Sequence, residues 1–145
     1  MTIYLAADHA GFELKEKVKA VLIEKCYQVI DCGATTLTPG DDYPPYMTKA
    51  AGAVSKDAGS RAIIFGGSGE GEAMVANRQS GVRAAEYYGG NLEIVRLSRA
   101  HNDANVLSIG ARFVGETEAL AAIQLWLETA FSGDERHERR INDFN

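Results

Sequence analysis

Five short apolar runs, at residues 3–7, 29–32, 62–65, 82–85 and 106–109, alternate along this chain with longer amphipathic segments at 13–26, 47–56, 72–78, 92–99 and 116–131. Apolar runs without strict alternation suit strands buried on both faces, and Leu14, Val18, Val21 and Leu22 fall at helical spacing. This rhythm predicts an α/β fold, with a mainly parallel sheet of about five strands and helices on both sides. With 145 residues, 46% of them hydrophobic, one core and a single domain over residues 1–145 are expected. Ligands of such sheets sit at the carboxyl ends of the strands.

Polar residues gather at those ends: Asp8 and His9 after the first run, a glycine loop after the third, and residues 86–88 after the fourth. Residues 35–45 form the longest turn-rich stretch, a surface loop and candidate rim, and Pro44 and Pro45 suit the first turn of the next helix. The net charge of −5 is spread along the chain, which argues against broad nucleic-acid binding. An anionic ligand would have to be met by local positive charge. Cys26 and Cys32 suit a reduced compartment better than a disulfide scaffold. Met1 runs straight into a strand-like segment without the pattern of a secretory leader, and no apolar stretch reaches the length of a membrane span. A cytoplasmic location away from membranes is expected.

The glycine loop, Gly-Gly-Ser-Gly-Glu-Gly-Glu at 66–72, fails two nucleotide-binding tests. The sixth position of a dinucleotide fingerprint falls on Glu72 or Met74, and the lysine of a nucleotide P-loop is replaced by Glu72. What remains is a set of backbone amides, the Ser68 hydroxyl and a carboxylate at a helix start. Amides stabilise a developing oxyanion, and Glu72 is placed to move a proton. The helix dipole predicts a lowered pKa for Glu72, hence an ionised base. The same residues also suit a plain strand-to-helix turn with Glu72 favouring the helix N-terminus, and Glu70 is a rival for the carboxylate role.

Asp8 beside His9 suits proton coupling to a sugar hydroxyl, but the local pattern by itself favours a helix N-cap at Asp8. Residues 99–105 are densely polar and place His101 and Asn102 in a loop before the last apolar run. His9, His101 and His137 lack the spacing of a zinc site, so no metal is expected. Arg136 and Arg140 share one helical face, with Arg139 pointing elsewhere, and can fork around a phosphate monoester; Arg112 is a third candidate at a strand end.

Six segments in order, Ala-Asp-His-Ala-Gly, Asp-Tyr-Pro, the glycine loop, Ala-Asn-Arg, Leu-Ser-Arg-Ala-His-Asn-Asp-Ala-Asn and Arg-His-Glu-Arg-Arg, resemble the ribose-5-phosphate isomerase B family. That family also contains the subunits of galactose-6-phosphate isomerase. The resemblance runs from Ile3 to about Ile141 and implies a Rossmann-like three-layer α/β/α sandwich. It implies cofactor-free aldose–ketose isomerisation of a small phosphorylated sugar in the pentose phosphate pathway. It also implies a homodimer or homotetramer whose active sites are shared between subunits. One branch of the family carries a cysteine base at the position of Gly66. The other has glycine there and a glutamate six residues later, which favours Glu72 over Glu70 and leaves Cys26 and Cys32 without a catalytic role. By the same resemblance, Asp8 and His101 assist opening of the furanose ring, and Ser68 with the amides of Gly67, Gly69 and Gly71 holds the enediolate. His9, Arg112, Arg136 and Arg140 meet the phosphate, the arginines coming from a neighbouring subunit, and Tyr43 and Asn102 contact the sugar. Residues 86–95 match the family pattern poorly. Isomerisation of a six-carbon phosphosugar such as allose or galactose 6-phosphate, and sugar-phosphate binding without catalysis, are the alternatives.

Overall fold

A computed structural model describes residues 1–144. The chain runs β1 (Thr2–Ala7), α1 (Phe12–Glu24), β2 (Gln28–Asp31), α2 (Pro44–Lys56), β3 (Arg61–Gly66), α3 (Glu70–Ala76), β4 (Ala84–Tyr87), α4 (Glu93–Asn102), β5 (Val106–Gly110), α5 (Glu116–Glu128) and α6 (Glu135–Asn142). All strand pairs are parallel, in the order β2-β1-β3-β5-β4.

Period-two side-chain alternation explains how both faces are buried. Ile3, Leu5, Ile63, Phe65, Leu107 and Ile109 face a core shared with Val18 and Leu22 of α1, Val95 of α4 and Ile123 and Trp126 of α5. Their neighbours Ala6, Ala62, Ile64 and Val106 face Met47, Ala50, Ala51 and Val54 of α2 and Ala76 of α3. The expected α/β/α sandwich with five parallel strands is therefore observed. No described helix is long and apolar enough to cross a membrane.

Strand order also locates the crevice. From β1 the chain crosses to β2 on one side, and from β3 it crosses to β4 and β5 on the other. The carboxyl ends of β1 and β3 thus diverge at a switch point, where such sheets receive ligands. The loop from Cys32 to Tyr43 is drawn back to this point by backbone bonds from Ala7 N to Gly33 O and from Ala34 N to Ala7 O, each 2.7 Å. Beneath it the buried Lys15 ammonium donates to both Asp31 carboxylate oxygens at 2.8 Å and to Ala34 O at 2.6 Å. A fully buried ammonium is tolerated because these acceptors, with the Glu16 carboxylate 2.9 Å away, replace its water.

Element boundaries differ from the sequence expectation in three places that touch the site. Helix α2 begins at Pro44, with prolines in its first turn as anticipated, and Tyr43 becomes its N-cap. Helix α3 begins at Glu70, so Glu72 lies within its first turn. Strand β4 continues through Glu86 and Tyr87, which are strand residues and not a loop after the strand.

Candidate active site

A cleft of about 410 Å³ opens at the switch point, lined by Asp8, His9, Tyr43, Gly67, Ser68, Gly71, Glu72 and Arg112. Asp8 follows β1 and is not the N-cap of α1, a position held by Gly11. Its Oδ1 instead accepts from the Ala10 and Gly11 amides at 2.9 and 3.2 Å, an Asx turn that leaves Oδ2 3.7 Å from His9 Nδ1. His9 Nδ1 pairs more closely with Asp41 Oδ1, at 2.8 Å.

The glycine loop is stitched to the end of β5. Ala111 N donates to Gly66 O at 2.9 Å and Arg112 N to Gly67 O at 3.1 Å, which brings the exposed Arg112 side chain alongside Gly67 of its own chain, where the resemblance implied an arginine from a neighbouring subunit. Ser108, the buried polar residue of β5, donates to Gly69 O at 2.6 Å. Gly69 therefore sits behind the loop, buried as the N-cap of α3, while Gly67, Ser68 and Gly71 face the cleft. Ser108→Ala is expected to cost about 1 kcal/mol, read as a lowered melting temperature, because the buried carbonyl loses its partner. A melting curve unchanged from the parent would contradict this.

Two glycines are dictated by close approach. A Cβ on Gly66 would collide with the Glu72 carboxylate, and one on Gly71 would lie 2.6 Å from the Tyr43 hydroxyl. The space beside Gly66 is thus filled by the Glu72 carboxylate, which is 4% exposed, whereas Glu70 is exposed. Burial raises the Glu72 pKa, opposed by its own amide; the charge of Asp8 raises it further, and the Gly69 amide opposes. The sequence expectation of a lowered value is corrected here: loss of water outweighs the dipole of a seven-residue helix.

His101, Asn102 and Arg140 do not reach this cleft. They line a second one of about 390 Å³ with Glu86, Ile94 and His137. His101 occupies the last turn of α4 and not a loop. Its ring stacks on that of His137, with centroids 4.3 Å apart and planes 15° apart. His137 is buried, and burial followed by the charges of His101 and Arg136 lowers its pKa. Arg136, Arg139 and Arg140 lie on α6, all exposed; Arg136 Nε is 3.9 Å from the Asp134 carboxylate. Cys26 and Cys32 are free thiols outside both clefts, and burial pushes the Cys32 thiol up.

A family model described as Ribose/Galactose Isomerase matches residues 3–144. The chain belongs to that family. It is 42% identical over 142 residues to ribose-5-phosphate isomerase B of Mycolicibacterium paratuberculosis, an alignment covering 98% of this chain and 88% of that one. The fold superposes with a TM-score of 0.93 on ribose-5-phosphate isomerase B from Mycoplasma genitalium with bound ribulose-5-phosphate, at 34% identity and covering 98% and 92% of the two chains. It does so equally, at 0.93, on the Clostridium thermocellum ribose-5-phosphate isomerase B, at 38% identity over 99% and 94%.

Within this ribose/galactose isomerase fold, sequence reasoning missed Asp41 and Ser108. Asp41 is 32 residues from the histidine it holds, and the loop between carries no periodic signal. Ser108 was detectable as the polar interruption of an otherwise apolar run. Among the described residues, Asp8, His9 and Asp41 form the one group of titratable ligand atoms that all lie within 4.8 Å of one another and suit a cation, but the His9 Nδ1–Asp41 Oδ1 contact there is already a 2.8 Å hydrogen bond.

Proposed function

We propose that the chain interconverts D-ribose 5-phosphate and D-ribulose 5-phosphate through an enediolate, without a cofactor. The observation that carries this reading is a carboxylate buried in a glycine loop, in a cleft that also holds His9 and Arg112. Glu72 removes the proton from C2 of the open aldose and returns it to C1, while the hydroxyl proton passes from O2 to O1. Negative charge accumulates on those oxygens, and the Ser68 hydroxyl with the amides of Gly67 and Gly71 is placed to hold it. A raised pKa makes Glu72 a stronger base. His9 and Arg112 hold the phosphate, and Tyr43 contacts the sugar.

The second cleft completes the site from a neighbouring copy. His101, with Asp8, opens the furanose ring; Asn102 contacts the sugar, and Arg136 and Arg140 close on the phosphate. Support comes from exposed apolar residues: Ile94, 59% exposed, lines the second cleft, Met74 is 65% exposed on the helix that carries Glu72, and Tyr88 and Phe113, 48% and 65% exposed, meet edge-on with centroids 6.2 Å apart. Large apolar side chains grouped in this way are the expected core of an interface.

Two measurements test this reading. Metal-stripped protein should turn over ribose 5-phosphate and favour it over allose 6-phosphate or galactose 6-phosphate by at least about tenfold in kcat/KM, given that one methylene-sized difference is worth about 1–3 kcal/mol. Preference for the six-carbon sugars would overturn the substrate, and binding without turnover would overturn the enzyme. Glu72→Gln and His101→Ala, each inactive alone, should regain about a quarter of parental activity when co-refolded, because half of randomly paired two-fold dimers are mixed and each mixed dimer has one intact site. No recovery would contradict the shared site.

A further inference from the structure

The partner of His9 lies outside every residue so far given a chemical role. Asp41 Oδ1 accepts two hydrogen bonds from the same residue, one from the His9 backbone amide and one from Nδ1, both at 2.8 Å. Its side chain is 9% exposed, against 31% for the His9 ring. Asp8, the other carboxylate facing the ring, is a poorer partner: it is 3.7 Å from Nδ1, and its other oxygen is engaged by the Ala10 and Gly11 amides.

We propose that Asp41 is a positioning residue that holds His9 as the Nδ1-protonated tautomer, so that Nε2 is the ring nitrogen offered to the substrate phosphate. The inference rests on the functional reading above and adds to it the group that sets the histidine's orientation and tautomer. One carboxylate oxygen clamping both the backbone and the ring of His9 fixes its rotamer as well as its proton, and the second ring nitrogen of a histidine is set by such a bond. A phosphomonoester oxygen meeting Nε2 shares one proton with it, whichever partner brings that proton, and the fixed charge of Asp41 balances the ring in either state.

Asp41 is itself suited to the task. Burial alone would raise its carboxyl, but the backbone and ring donors of His9, with the Tyr46 phenol, outweigh burial and hold it below the usual range. Its Oδ2 is buried and accepts no well-aligned hydrogen bond among the described residues. The neighbouring Tyr46 phenol is pushed up by burial and by this carboxylate. A carboxylate that its donors keep charged, and that holds one residue by both backbone and ring, is suited to orienting that ring.

The test reads the ring directly. Nitrogen NMR of the parent should show His9 protonated at Nδ1, and Asp41→Asn should shift it toward the Nε2-protonated tautomer. The same variant should raise KM for ribose 5-phosphate about tenfold, as loss of an outer-shell partner of a histidine commonly does, while kcat at saturation falls less than about threefold. Affinity for inorganic phosphate, measured by calorimetry, should weaken in parallel. An Nε2-protonated ring in the parent, an unchanged tautomer and KM in Asp41→Asn, or a loss confined to kcat would each overturn the proposal. The NMR and phosphate measurements need no turnover, so a parent that isomerises nothing defeats the functional reading alone. The parental tautomer can be read even if the variant does not fold.

Discussion

Glu72→Gln should lower kcat for ribose 5-phosphate by at least about 100-fold, about 2.7 kcal/mol of transition-state stabilisation, with little change in fold. The amide keeps the shape of the carboxylate but cannot carry a proton between two carbons. The pH dependence has a matching signature. The folded carboxyl, raised above its ordinary value of 4.5 chiefly by burial, binds its proton more tightly than the unfolded chain does. Activity should therefore fall on the acid side at a pH above the ordinary glutamate range. The stability contributed by this group is full below that ordinary value and is lost as pH rises through the raised one. At neutral pH Glu72→Gln should melt above the parent, and the two should converge in acid. Full activity in the variant would remove Glu72 from the mechanism. A melting point at or below the parent's at neutral pH would show that burial does not strain the charge.

Gly66→Ala should be nearly as damaging, by a different route. The added methyl meets the Glu72 carboxylate, so the base must leave its place or the loop must move. Overpacking of this kind costs about 1–3 kcal/mol of stability, and a displaced base forfeits most of the proton transfer, again about 100-fold or more. A double substitution separates the two effects. Adding Glu72→Ala to Gly66→Ala should restore much of the lost melting temperature, because neighbours sharing a space are non-additive, and should restore no activity. Additive melting losses would show that the methyl strains something other than Glu72.

The sandwich was legible because its strands are buried on both sides: runs such as Ile63-Ile64-Phe65 carry no polar partner face. Boundaries blurred where residues behave against type. Glu86 lies in β4 although it is charged and partly buried, and α4 carries its helix on through His101 and Asn102 before Asp103 turns left-handed at φ 45°. Glu72 was legible as a candidate base, but its electrostatics were not. The dipole argument is local and reads from the chain, whereas desolvation depends on which glycine lies across from the carboxylate. Asp41 was hidden for a related reason, since its partner is set by loop closure over 32 residues. The candidate residues appeared as one set, yet most of them divide between two clefts of one chain, with Gly69 behind the glycine loop and Arg136 exposed on α6, a division that no spacing rule reveals.

The shared volume of Gly66 and Glu72 also constrains how such enzymes diverge. A lineage exchanging a glutamate base for a cysteine at residue 66 must alter both positions. Changing residue 66 first crowds two bases into a space for one, and changing residue 72 first leaves none. Either single change disturbs the base, so the two positions are expected to change together. The trace expected among relatives is paired change: glycine at 66 travels with glutamate at 72, and a side chain at 66 travels with a smaller residue at 72.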